Sequence, residues 1–171
     1  VVIGTLLTLV MQSSSAATAV TLVMLFEGWI SFPLAAAMVL GENIGTTVTA
    51  NLAAMVGNVH AKRAARFHLI FNLIGVAWML AAIYPVMHLI DMVVQNFSTA
   101  PVSILSDAPE ARPNATLGLS LFHTSFNILN VILLFAFIPY IVRFIERILP
   151  ETAGGADDFR LKYISAGVMT S

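Results

Sequence analysis

The sequence predicts an all-α membrane protein whose apolar helices are interrupted by polar clusters. Composition is the first reason. Of 171 residues, 58% are hydrophobic and only 10% charged, with a mean hydropathy of +0.90, whereas a soluble domain carries about a quarter charged residues. The second reason is that the apolar residues fall in long runs, and roughly 20 of them in a helix cross a bilayer. The third is a pair of polar clusters inside those runs, Gln12-Ser13-Ser14-Ser15 and Gly41-Glu42-Asn43-Ile44-Gly45-Thr46-Thr47-Val48-Thr49. Irregular backbone at membrane depth is tolerated only where it is buried in protein or lines a cavity. Clusters this rich in Gly, Ser, Thr and Asn therefore suggest broken helices around a polar site.

The elements follow in order. Residues 1–26 are apolar apart from Gln12 to Ser15. They read either as two half-length helices meeting at a tip, a re-entrant hairpin, or as one spanning helix with its serines packed on neighbours. Glu27 to Pro33 form an interfacial turn, broken by Gly28 and Pro33, with Trp29 suited to the headgroup belt. Residues 34–56 make a second span with an unwound centre at Gly41 and Gly45. Residues 67–90 make a third span and 117–142 a fourth, separated by a polar outer loop over 95–116. The expectation is thus a hairpin and about three transmembrane helices, one of them broken. Residues 150–171, with Gly154-Gly155, read as a cytoplasmic linker. Val1 opens inside an apolar stretch without an initiator Met, so a longer parent protein is expected.

Charge placement sets the topology. Lys62, Arg63 and Arg66 are separated by two spans from Arg143 and Arg147. The two clusters then share one side, cytoplasmic by the positive-inside rule, and the 95–116 loop is outside. That loop holds Asn96-Phe97-Ser98 and Asn114-Ala115-Thr116, which match the glycosylation pattern by chance as easily as by design. The net charge of −1 gives no basis for a nucleic-acid partner, and the absence of Cys excludes disulfides and thiolate metal sites.

All eight Lys and Arg residues lie at span ends, in loops or in the tail. An anion at depth would have to be met by helix N-termini, hydroxyls, amides or co-bound cations. Helices beginning near Ala16 and Thr46 would supply such N-termini. Gln12, Ser13, Ser14, Ser15, Asn43, Thr46, Thr47, Thr49 and carbonyls freed near Gly41 are hard oxygen donors, which suit sodium rather than a soft metal. Glu42 is the only acid deep in an apolar run. It reads as a cation ligand, as a proton-carrying coupling acid, or as a group that merely faces an aqueous cavity. Phe67-His68-Leu69-Ile70-Phe71-Asn72 is echoed by Phe122-His123-Thr124-Ser125-Phe126-Asn127. Each His and Asn share a helical face, and helix-to-helix hydrogen bonds with Asn72 and Asn127 account for the histidines better than a shared metal. Met38, Met55, Met79 and Met87 read as packing residues. No paired carboxylates or nucleophile–base pair appear, so no enzyme and no cofactor is expected.

Gln12-Ser13-Ser14-Ser15, followed about 26 residues on by Gly41-x-Asn43-Ile44-Gly45-Thr46-Thr47, resembles one repeat of the type II sodium/phosphate cotransporters, especially their bacterial members. The likeness runs over roughly residues 1–140 and includes the His-x-x-Phe-Asn pattern at His68 and His123. It implies one half of an inverted-repeat transporter, the second repeat, whose missing first repeat completes the site. It implies that 1–26 is the re-entrant hairpin. It further implies that Gln12, Ser13, Ser14 and Ser15 hold phosphate and sodium and that Asn43, Thr46 and Thr47 line the same substrate site; joined to the oxygen-donor reading, the expected sodium ligands are Gln12, Ser15, Asn43, Thr46 and Thr49. It suggests a homodimer and a PhoU-like helical domain after the linker. Glu42 departs from the family pattern, where that position is often small.

The resulting expectation is sodium-coupled phosphate transport by alternating access in a multi-pass inner-membrane protein. Its rivals are a sodium- or proton-coupled carrier of another small anion such as a carboxylate, and a non-transporting membrane regulator of phosphate status.

Overall fold

The computed structural model describes residues 1–151, and every regular element among them is helical. The expected linker lies, beyond Glu151, outside the described residues.

The first apolar stretch forms two helices, α1 (Val2–Met11) and α2 (Ser14–Phe26). Gln12 takes a left-handed conformation (φ 53°, ψ 23°) and its N–H donates to the Thr8 carbonyl at 2.7 Å, closing α1. Ser13 is extended and caps α2 by accepting the Ala16 N–H on its Oγ at 3.3 Å. A single helix over 1–26 does not form. At 1.5 Å per residue these helices reach only about 15 and 20 Å, short of a hydrocarbon core of about 30 Å. The turn after α2 contains Gly28 at φ +76°, a conformation that favours glycine.

The expected break in the second span is absent. α3 runs without interruption from Phe32 to Ala54. Its polar side chains bond back onto its own backbone: Asn43 Nδ2 to the Val39 carbonyl at 3.1 Å, and Thr46 Oγ1 to the Glu42 carbonyl at 3.0 Å. Thr47 and Thr49 do the same to Ile44 and Thr46. The glycines serve packing instead of unwinding. A Cβ on Gly41 would strike the backbone of Val1 and Thr5, one on Gly45 would lie 2.6 Å from Thr8 Cβ, and one on Gly4 would strike the backbone of Met38. Gly41-x-x-x-Gly45 is a small-xxx-small stripe that lets α1 lie against α3. Carbonyls are not freed at Gly41; its oxygen instead receives an added bond from Thr5 Oγ1 at 2.9 Å.

The third span also differs from expectation. α4 (Val59–Ala81) begins earlier, so Lys62, Arg63 and Arg66 are helical, and α5 (Ile83–Phe97) follows a break at Ala82. Pro85 explains the break: it has no N–H for the Ala81 carbonyl and its ring crowds that oxygen. The outer loop shrinks to 98–108, ending in a short 3-10 turn at Pro109–Ala111. α6 (Arg112–Leu134) and α7 (Ile138–Ile148) are joined by another 3-10 turn at Phe135–Phe137. Pro139 has the same effect on the Phe135 carbonyl there.

α3 is the hub, packed against α1, α2, α4 and α6. Its Phe32, Ala35, Ala36, Val39 and Leu40 join Met79, Met87, Phe122 and Phe126 in one buried core. Of the four methionines expected to pack, Met38, Met79 and Met87 are buried and Met55 is exposed. Among the described residues, α4 and the run Pro109–Ile148 are long and apolar enough to cross a membrane. Arg63 Nε donates to the Leu149 carbonyl at 3.0 Å, so the two basic clusters share one end of the bundle.

Candidate functional site

The joint between α1 and α2 places Gln12, Ser13 and Ser15 at the surface and Ser14 half-buried. Ser13 already serves the Ala16 N–H. The N–H groups of Ser14 and Ser15 open the helix, and first-turn donors have no partner within it. They point out of the positive end of α2, an arrangement suited to an anion.

α3 supplies the complementary chemistry. The hydroxyl protons of Thr46, Thr47 and Thr49 are committed to α3 carbonyls. Their oxygens keep lone pairs, so these groups act outward as acceptors. Asn43 likewise donates inward and keeps Oδ1 as an acceptor. Thr47 is fully buried, while Asn43, Thr46 and Thr49 are half-buried. Gly41 lies on Thr5 and Gly45 on Thr8, so α1 advances along α3 in the same sense. Gln12 then falls about one turn past Thr8, level with Thr49 about one turn past Gly45. Thr8 itself is 1% exposed, and its hydroxyl has no partner among the described residues.

Glu42 does not face an aqueous cavity. It is 1% exposed, and both carboxylate oxygens face α2: Thr18 Oγ1 is 2.6 Å from Oε2 and Thr21 Oγ1 is 2.6 Å from Oε1. Thr18 Oγ1 also lies 2.9 Å from the Ser14 carbonyl, inside the tip. His123, half-buried on α6, lies within Coulombic reach of Glu42.

The remaining histidines divide. His68 and His123 offer Asn72 and Asn127 their backbone carbonyls, at 3.0 and 2.9 Å, within the same helix. The expected helix-to-helix bonds through these asparagines are therefore replaced by bonds that brace each helix. Other amides do cross between helices: Asn51 of α3 donates to the Ala65 carbonyl of α4 at 2.8 Å, and Asn130 accepts from Trp78 Nε1 at 3.1 Å and reaches the Phe71 carbonyl at 3.5 Å. Sequence reading missed both because nothing local marks either as paired with α4. His60 pairs with Glu151 at 3.2 Å on the surface. Asn114 is buried, donating to the Ala100 and Val102 carbonyls and accepting from Ser98, which removes it as an acceptor for sugar. Among the described residues no group of three His, Cys, Asp or Glu side chains could hold a metal.

This chain has named relatives. "Uncharacterized protein YqeW" of Bacillus subtilis is 42% identical over 78 residues, 46% of this chain and 25% of the relative. "Putative inorganic phosphate export protein YjbB" of Salmonella typhimurium is 28% identical over 149 residues, 87% of this chain and 24% of the relative. Human "Sodium-dependent phosphate transport protein 2C" is 41% identical over 80 residues, 44% of this chain and 13% of the relative. The chain thus spans about a quarter of the length of the first two and less of the third. No solved structure matches it. The family model described as Na+/Pi-cotransporter matches residues 1–106, which takes in α1 to α5 with both polar clusters; the chain belongs to the Na+/Pi-cotransporter family, a family of transporters rather than enzymes.

Proposed function

We propose that this chain is one repeat of a sodium-coupled inorganic phosphate transporter that works by alternating access in the cytoplasmic membrane. The observation that carries the reading is the division of labour at the α1–α2 joint. Donors at the start of α2 face outward from Ser14 and Ser15, and acceptor oxygens of Asn43, Thr46 and Thr49 stand on the neighbouring helix. Phosphate needs donors and sodium needs oxygens. The short lengths of α1 and α2 suit a hairpin that enters and leaves on one face. A first repeat, in the same protein or in a second copy, would complete the site.

The second strand of the reading concerns Glu42. Thr18 has one hydroxyl proton and two acceptors, the Ser14 carbonyl and Glu42 Oε2. A proton on Oε2 would let the carboxyl donate to Thr18 while Thr18 donates to Ser14. A proton gained or lost at Glu42 would then be felt at the tip, which makes Glu42 the candidate coupling acid.

The test is radiolabelled phosphate uptake into proteoliposomes holding the full-length parent protein, with an inward sodium gradient and then with potassium. Sodium-dependent uptake that falls in Ser14→Ala and Asn43→Ala supports the reading. Wild-type rates in both variants would remove the site assignment. Competition by dicarboxylates but not arsenate would favour a carboxylate carrier, and phosphate binding without uptake would favour a regulator.

A further inference from the structure

α4 and α7 run antiparallel, because Arg63 meets Leu149 while residues further along α4 meet earlier parts of α7. Between them lies an open groove of about 430 Å³ lined by Ile70, Ile74, Leu134, Phe137, Tyr140 and Phe144, floored by Ile141. Tyr140 contributes the one polar side-chain atom of that lining. The groove has a charged end. Arg66 is one turn before Ile70 on α4, and Arg147 lies one turn past Phe144 and two turns past Tyr140 on the same side of α7. Both arginines are exposed, and the Arg63–Leu149 contact shows that they stand at the same end of the helix pair. Glu146, two positions past Phe144, projects from the other side of α7.

We propose that this groove binds one anionic phospholipid, its acyl chain along Ile70, Ile74, Phe137 and Phe144 and its phosphate held by Arg66 and Arg147. The inference rests on the membrane reading of the chain but not on phosphate transport. Charge complementarity selects the occupant. An apolar slot with two arginines at one end matches an acyl chain joined to an anionic headgroup, and basic pockets between helices on the cytoplasmic side take such heads. An extended peptide would leave backbone N–H and C=O groups against a wall without partners, whereas an acyl chain has none to satisfy.

The experiment uses the full-length protein in mild detergent, with native mass spectrometry against phosphatidylglycerol and phosphatidylcholine of identical chains. Phosphatidylglycerol is expected to be retained preferentially, and Arg66→Gln with Arg147→Gln should lower that preference roughly tenfold to thirtyfold. Equal retention of the two lipids, or an undiminished preference in the double variant, would overturn the proposal. A phosphatidylglycerol with a photoreactive acyl chain, applied to the unaltered protein, covers the case in which the variant does not fold. Crosslinks at 70–74 and 137–144 support the site. Crosslinks confined elsewhere, as expected if a second copy or another segment fills the groove, overturn it.

Discussion

Thr21 of α2 donates its hydroxyl proton to Glu42 of α3 at 2.6 Å, in a contact where both residues are 1% exposed or less. With Thr18 it gives the carboxyl a hydroxyl partner on each oxygen. Glu42→Gln keeps the shape and the acceptor for Thr21, and should leave the fold intact while altering the pH dependence of transport. Glu42→Ala strands the Thr21 hydroxyl, leaves Thr18 with only the Ser14 carbonyl and opens a cavity, and should destabilise by about 2–5 kcal/mol. Thermal unfolding of both variants beside uptake at several pH values checks this. An unchanged pH profile in the Gln variant would remove Glu42 from coupling.

Gly45 packs where a Cβ would sit 2.6 Å from Thr8 Cβ. Gly45→Val should push α1 away from α3 at a cost of about 1–3 kcal/mol and abolish uptake. A stable, active Val variant would show that α1 does not depend on the close approach at Gly45. The measurement is uptake with a cysteine-pair crosslink between α1 and α3.

Gln12 holds a left-handed backbone that costs a non-glycine L-residue about 1–2 kcal/mol. Gln12→Gly should raise stability slightly while lowering sodium-dependent uptake, because the backbone gains and the amide is lost. Gln12→Val should lower both. Full uptake in the Gly variant would show that the amide has no part in the site.

Asp91, on α5 outside the two membrane-crossing runs, pins the outer loop. Its Oδ1 accepts the Ile104 N–H at 2.8 Å and its Oδ2 the Ser103 hydroxyl at 2.9 Å. Burial alone would raise its pKa. Bonds from Gln95, Ile104 and Ser103, with the charge of His88, outweigh burial and hold the carboxyl below the ordinary range. A depressed carboxylate contributes stability that is complete above its ordinary pKa of about 4 and is lost as pH falls through the lowered value. The loop over 98–108 should therefore resist proteolysis at neutral pH and loosen in acid. Asp91→Asn should give the loosened cleavage pattern at neutral pH, at a cost of about 1 kcal/mol after solvent screening.

Much of this was legible along the chain. Hydropathy set the helical class, and the joint at Gln12 and Ser13 was marked by a run of residues that cap and turn. Positive charges other than Arg112 grouped at one end, and Arg63 against Leu149 agrees with that grouping. The bounds of α4 to α7 were not legible from apolar runs alone. There a single missing N–H, at Pro85 or Pro139, outweighs hydropathy and ends a helix four or five residues earlier.

Sequence by itself determined the class, the two polar clusters and the family pattern they carry. Tertiary structure decided what the second cluster does. A Gly-x-x-x-Gly stripe either unwinds or admits a neighbour, and only the arrival of α1 on Gly41 and Gly45 selects between them. A lone Glu in an apolar run either meets water or finds partners, and only the side of α2 that carries Thr18 and Thr21 supplies them. Both outcomes depend on contacts between residues 21 to 40 positions apart, which no local spacing encodes.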